Sequence, residues 1–188
     1  MAAHAAGAKG AKKLNPNKLT GNSKILSDYK KSLPPLTSDQ KEVLIGLVLG
    51  DANLFSQTKG KTCKVRFEWG ESSKDYVFHI YSLFKYYIIS LPTLYPRVNE
   101  SGNHYSNYRF ETLTHSHFLF LWELFINFNF EKNVPQGTIT KYVTPLSLAY
   151  WFLDDGGKLD YTHNEGKGIV LAANAAGAKG AKYPRFYF

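Results

Sequence analysis

Apolar positions switch between helical and strand spacing along residues 37–172, and the switches lay out an order of elements. Thr37 and Gln40 stand three apart just ahead of an apolar run. That is a capping box, and it predicts a helix starting near residue 38, with Val43, Leu44, Leu47 and Val48 on one face. Asn53–Thr58 and Thr62–Trp69 read as strands joined by Lys59-Gly60-Lys61. In the second, Cys63, Val65, Phe67 and Trp69 alternate with Lys64, Arg66 and Glu68, so one face is buried and the other polar. Ser73 can cap a helix over about 74–89, with Val77, Ile80, Phe84 and Ile88 inward, and Leu91–Pro96 interrupts it. Short strands are expected near Arg97–Glu100 and Tyr105–Thr114, then a helix rich in Phe and Leu over about 116–128. The order is αββαββα, an α+β fold. After a loop with Pro135 and Gly137, Thr144-Pro145 places an N-cap before proline at the first helical position, and a fourth helix runs to about Asp155. Ile169–Ala172 reads as one more strand.

Length and composition alter this picture little. At 188 residues and 44% hydrophobic, the chain can form one domain or two small ones sharing an interface. No apolar run reaches the length of a membrane span. Cys63 is the single cysteine, which excludes an internal disulfide and a cysteine-based zinc site. His115 and His117 flank a strand–helix junction and His79 lies in a helix, but no third ligand stands at suitable spacing, so capping or surface roles are expected.

Charge alters it more. The formal +8 suggests a polyanion partner. Residues 1–32 hold +6 of it and 173–188 hold +3, so 33–172 carries −1 and a nucleic-acid face must arise by local segregation. Residues 54–67 supply such a segment, with Lys59, Lys61, Lys64 and Arg66 and no acid; Arg109 lies on the other strand pair and Arg97 near its start. The sequence AAGAKGAK occurs at 5–12 and again at 175–182. Its spacing is not that of a phosphate-binding loop, and it reads as flexible, solvated and basic. Residues 1–36 are accordingly expected to form a flexible basic tail. Lys outnumbers Arg 19 to 4, and Asn, Tyr, Phe and Ile abound. These residues have A/T-rich codons, which points to an organellar gene.

The chemistry concentrates at two helix ends. The first helix closes on LIGLVLGDA (44–52) and the fourth on LAYWFLDDG (148–156). Each puts an acid, Asp51 or Asp155, at a helix C-terminus, where the macrodipole costs it a few tenths to about 1 kcal/mol. A metal ion would reverse that cost. Either ending alone is an ordinary polar helix stop; two alike, 104 residues apart, are a pattern.

These two stretches resemble the paired motifs of the LAGLIDADG homing endonucleases, of the double-motif, mitochondrial intron-encoded type. Asp51 and Asp155 fall on the eighth motif position, TPLSLAYWFLDDGGK (144–158) is especially close to the second motif, and FEWG (67–70) is similar to the family's first hairpin. The resemblance covers roughly 24–172. It implies two αββαββα halves whose motif helices pack together, with Gly46 and Gly50 permitting close approach and Tyr150 making the contact asymmetric. It implies a saddle of sheets over double-stranded DNA, and Mg²⁺ or Mn²⁺ held by Asp51 and Asp155, with the backbone carbonyls of Gly50 and Asp154 completing the shell. By alignment, Lys132 is the lysine that supports the first site. Lys59, Lys61, Lys64, Arg66, Arg97 and Arg109 would lie against DNA, each expected to contact phosphate more than bases, and Lys158 could reach a phosphate.

The second half departs from the pattern. The first half needs about 90 residues, whereas the second has only 145–188, so this half is expected to be mostly missing and cleavage by the 188-residue chain weak. A complete second half would make the protein a monomer. The leading expectation is a site-specific DNA endonuclease. The alternatives are a maturase-like protein that binds intron RNA and an inactive remnant that only binds nucleic acid.

Overall fold

The computed structural model describes residues 24–58, 60–158, 169–172 and 185–187. Lys59 and both AAGAKGAK segments lie outside the described residues. The chain divides into two compact units, Met1–Leu33 and Pro34–Phe188. Within the first, Lys24–Lys31 forms a helix, α1, inside the segment expected as a flexible tail. Lys30 and Lys31 lie in its last turn, where cations oppose the negative end of the dipole.

The second unit begins with α2 (Ser38–Leu49), closed by the expected capping box: Thr37 Oγ1 accepts from Gln40 N and Gln40 Oε1 from Thr37 N, both at 3.1 Å. Every residue from Val43 to Leu49 is buried, not a single face. The reason is α6 (Pro145–Asp155), which packs on the Gly46 side of α2, so the helix is interior on all sides. The N-cap of α6 is Thr144, whose hydroxyl accepts from Ser147 N and donates to Glu42 of α2 at 2.6 Å.

Strands β1 (Asn53–Phe55), β2 (Lys64–Gly70), β3 (Thr93–Val98) and β4 (His104–Glu111) form an antiparallel sheet of order β1-β2-β4-β3. The αββαββα order is completed by α3 (Lys74–Phe84) and α4 (Leu119–Phe125). As the alternation requires, Val65, Phe67 and Trp69 are buried while Lys64, Arg66 and Glu68 face out. Phe67 packs against Trp69, Phe84 and Phe110 with ring centroids 4.9–6.2 Å apart. β3 starts earlier than expected and contains Pro96; a missing N–H is tolerated because β3 is an edge strand. β1 ends early because Ser56 Oγ accepts from Thr58 N and Gly60 N, which turns the chain. A short helix α5 (Thr138–Tyr142) occupies the segment expected as loop. After α6, β5 (Gly156–Lys158), β6 (Ile169–Ala172) and β7 (Arg185–Tyr187) form a second antiparallel sheet, of order β5-β6-β7.

Candidate functional site

Helices α2 and α6 approach at two glycines, Gly46 opposite the first turn of α6 and Gly50 at the C-terminal ends. A Cβ on Gly46 would lie 2.2 Å from the Ser147 carbonyl oxygen, and one on Gly50 would lie 2.6 Å from Asp154 Cβ. Only residues without a side chain allow this approach. It carries the acids together: Asp51 N donates to Asp154 Oδ2 at 3.4 Å, linking the two helix ends directly. Tyr150, the large residue at the third motif position of α6, has its Cβ in this seam opposite Gly46, while its ring stacks on His79 of α3, with a 2.8 Å hydrogen bond between Nε2 and the hydroxyl.

Four ionisable groups sense one another here. Asp154 is held by three donors from three elements: Asp51 N, Trp69 Nε1 at 3.1 Å and Tyr76 OH at 3.0 Å. Burial nevertheless pushes its carboxyl up to about 7, and Asp51 adds to the rise. Asp155 is pushed up to about 6, first by burial and then by the charge of Asp51, with Lys132 opposing. Burial pushes Lys132 down to about 8 against the pull of Asp155, Asp51 and Asp154. The Lys132 ammonium donates to Gly50 O at 3.0 Å and to Ala52 O at 3.4 Å.

Lys132 is delivered by a tight turn after α4. Ile126 and Lys132 form a bridge, Asn127 Oδ1 accepts from Asn129 N and Glu131 N, and Phe130 takes a left-handed conformation (φ 64°). Asp155 Oδ2 is buried and has no hydrogen-bond partner among the described residues. An orphaned carboxylate oxygen beside a second aspartate and the carbonyls of two helix ends suits a hard divalent cation. Among the described residues no three His, Cys, Asp or Glu side chains gather as a metal cage, so two carboxylates would form only part of such a shell.

The other residues singled out by sequence form a second locus. Lys64 and Arg66 of β2, Arg109 of β4 and Arg97 of β3 share the outer face of the first sheet. They are not alone there. Glu111 pairs with Lys64, Arg66 and Arg109, and Glu68 pairs with Arg97 and accepts from Asn107. Lys61 is exposed in the β1–β2 turn. Lys158 belongs to β5, and its side chain lies outside what is described. His115 caps the turn before α4, its Nδ1 accepting from His117 N at 3.1 Å. Sequence reading missed the side chains of Asp154, Trp69 and Tyr76 as a unit; the doubled acid Asp154-Asp155 was the one available signal.

The profile described as the LAGLIDADG DNA endonuclease family matches residues 41–183. A probable intron-encoded endonuclease 1 of Wickerhamomyces canadensis is 41% identical over 151 residues, covering 80% of this chain and 64% of the relative. The cytochrome b mRNA maturase bI2 of Debaryomyces hansenii is 31% identical over 144 residues, covering 74% and 52%. Among solved structures, the homing endonuclease I-WcaI bound to its DNA recognition sequence aligns with TM-score 0.73 and 41% identity, covering 82% of this chain and 67% of that one. The chain thus spans between about half and two thirds of the length of these proteins.

Proposed function

Because the chain belongs to the LAGLIDADG DNA endonuclease family, we propose that it is a site-specific endonuclease that hydrolyses phosphodiester bonds of double-stranded DNA with divalent metal ions. One observation carries this reading: at the glycine-mediated seam of α2 and α6 the Asp155 carboxyl is raised by burial and by the charge of Asp51, and one buried Asp155 oxygen has no partner among the described residues.

Asp51 and Asp155 would hold Mg²⁺ or Mn²⁺, with the carbonyls of Gly50 and Asp154 as further oxygens. Bound there, the metal would activate water and stabilise charge on the leaving oxygen. Asp154 fixes the backbone of Asp51 through its side chain, while Trp69 and Tyr76 fix Asp154 to the sheet and α3. Lys132 places its amine beside the acids, and its lowered affinity for protons suits it to donate to a phosphate oxygen when protonated or to take a proton from the nucleophilic water when neutral. Lys61, Lys64, Arg66, Arg97 and Arg109 would lie along the duplex, and Lys158 near the second motif would meet a phosphate. The yeast relatives support an organellar, intron-encoded origin.

The maturases among those relatives favour intron RNA as a second ligand. The decisive assay incubates the purified chain, and the same chain extended by a complete second half, with a duplex target library and Mg²⁺; the short form should cut weakly and the extended form efficiently. Cutting at defined sites should vanish with chelator and in Asp51→Asn and Asp155→Asn while duplex binding persists. Cutting indifferent to both substitutions would refute the site, and tighter binding to intron RNA than to any duplex would favour the maturase reading.

A further inference from the structure

The outer sheet face is more ordered than simple charge attraction requires. Arg66 donates its Nε to Oε1 of Glu111, and its guanidinium carbon lies 4.0 Å from the centroid of the Phe55 ring. One edge and one plane of the guanidinium are thus fixed. Among the described residues no acceptor is recorded for its Nη1 or Nη2. The same carboxylate takes Lys64 Nζ and, at 3.3 Å, Arg109 Nη2, and Arg109 in turn lies 5.4 Å from the Tyr95 ring centroid. Arg66, Arg109, Glu111, Thr93 and Tyr95 line a cleft of about 450 Å³.

This is a poor way to build a phosphate contact. A guanidinium fork can grip a phosphate as well as a base edge, so the charge around it is what decides between them. Here Glu68 and Glu111 offset half of the charge of Lys64, Arg66, Arg97 and Arg109, and Glu111 sits directly beside Arg66. A carboxylate repels phosphate. It does not repel a neutral base edge, and a fixed planar fork suits one with two acceptors side by side. Guanine presents that pair, O6 and N7, in the major groove.

We propose that Arg66 is a specificity-determining residue that reads a guanine through its Nη pair, with Glu111 and Phe55 as the positioning residues that aim it. This rests on the duplex-DNA reading above and departs from the expectation that each basic residue of this face contacts phosphate.

The test binds the full 188-residue chain and its variants to a randomised duplex pool, sequences what is retained, and titrates salt on the most enriched duplex. Arg66→Lys keeps the charge and removes the fork. It should abolish guanine preference at one position, a loss of about five- to a hundredfold in discrimination, and leave other positions and the salt slope unchanged. Glu111→Ala should erode preference at that same position without weakening binding to unselected duplex. Phe55→Leu, which leaves every charge in place, should erode it partially and guards against misfolding of the other two. Full retention of sequence preference by Arg66→Lys overturns the proposal. So does a uniform loss of affinity in Arg66→Ala with a salt slope lower by about one, the mark of a phosphate contact. An unaltered chain that enriches no sequence overturns the DNA reading itself, and this inference with it.

Discussion

The molecule holds carboxylates in two opposite ways. On the outer face of the sheet, burial alone would raise Glu68 and Glu111, yet both lie below their ordinary value. Hydrogen bonds and charges from Arg97 and Asn107 on one, and from Lys64 and Arg66 on the other, outweigh the burial. At the meeting of α2 and α6, burial is again the largest cause, but Asp154 and Asp155 rise to about 7 and about 6. The nearby cation there, Lys132, is itself pushed down to about 8, and Asp51 adds like charge. The side-chain chemistry and the sign of desolvation are the same in both places. What differs is whether the chain supplies enough positive charge. A surface that reads a ligand gains from partners fixed in advance; a reaction centre gains from carboxylates whose charge is left for something else to compensate.

The sharpest way to break this contrast is to part the helices. A methyl on Gly46 would meet the Ser147 carbonyl, which is helix backbone and cannot swing aside. Gly46→Ala should therefore cost about 3 kcal/mol, the upper end of overpacking penalties, read as a fall in the urea midpoint. With the seam opened, the Asp155 carboxyl should relax toward its ordinary value while Glu111 stays low, both followed by carboxyl-resolved NMR titration. An Asp155 that remains raised in a parted structure would mean that the neighbouring helix is not what perturbs it.

A smaller effect tests what completes the helix-end site. Mg²⁺ at ten times its dissociation constant should stabilise the chain by about 1.4 kcal/mol through mass action. The stabilisation should disappear in Asp51→Asn and persist in Glu111→Gln, as judged by thermal melts with and without chelator. Equal stabilisation of all three proteins would place the cation elsewhere.

Much of this arrangement is legible in the chain because local rules and tertiary demands coincide. Thr37 and Gln40 mark the start of α2, Thr144-Pro145 marks the start of α6, and the alternation from Cys63 to Trp69 gives the two faces of β2. The glycines at 46 and 50 show that something must come close. What escaped reading depends on partners distant in sequence. Residues 54–67 look uniformly basic until Glu111, 45 positions beyond Arg66, pairs across the strands. The reach of Lys132 to Gly50 depends on the left-handed Phe130, a conformation that nothing in its identity announces. Asp154 reads as a backbone contributor next to the motif acid. Its side chain matters because Trp69 and Tyr76, 85 and 78 positions earlier, converge on it.

The smallest effect is also the most direct test of the contrast, because it predicts opposite signs for two carboxyl-to-amide changes. Asp155 has a folded value near 6 against an ordinary 3.8. Between those values the native state keeps a proton that the unfolded chain has released, so stability falls as pH rises through this window. Asp155→Asn should match the parent below about pH 4 and become the more stable protein above about pH 6, by about 1 kcal/mol for relief of a poorly satisfied buried oxygen. Glu111 runs the other way: its folded value lies below the ordinary 4.5, so its contribution is present above that pH and is lost as pH falls through the folded value. Glu111→Gln should thus be less stable than the parent at neutral pH by about 0.5–1 kcal/mol, since the cluster is half-exposed and screened, and equal to it in acid. Raising the salt concentration should shrink the Glu111 difference further. Chelator-treated protein, unfolded in urea between pH 3.5 and 8, would give both curves. Two differences of the same sign at pH 7 would show that the helix-end acids are as well compensated as those of the sheet.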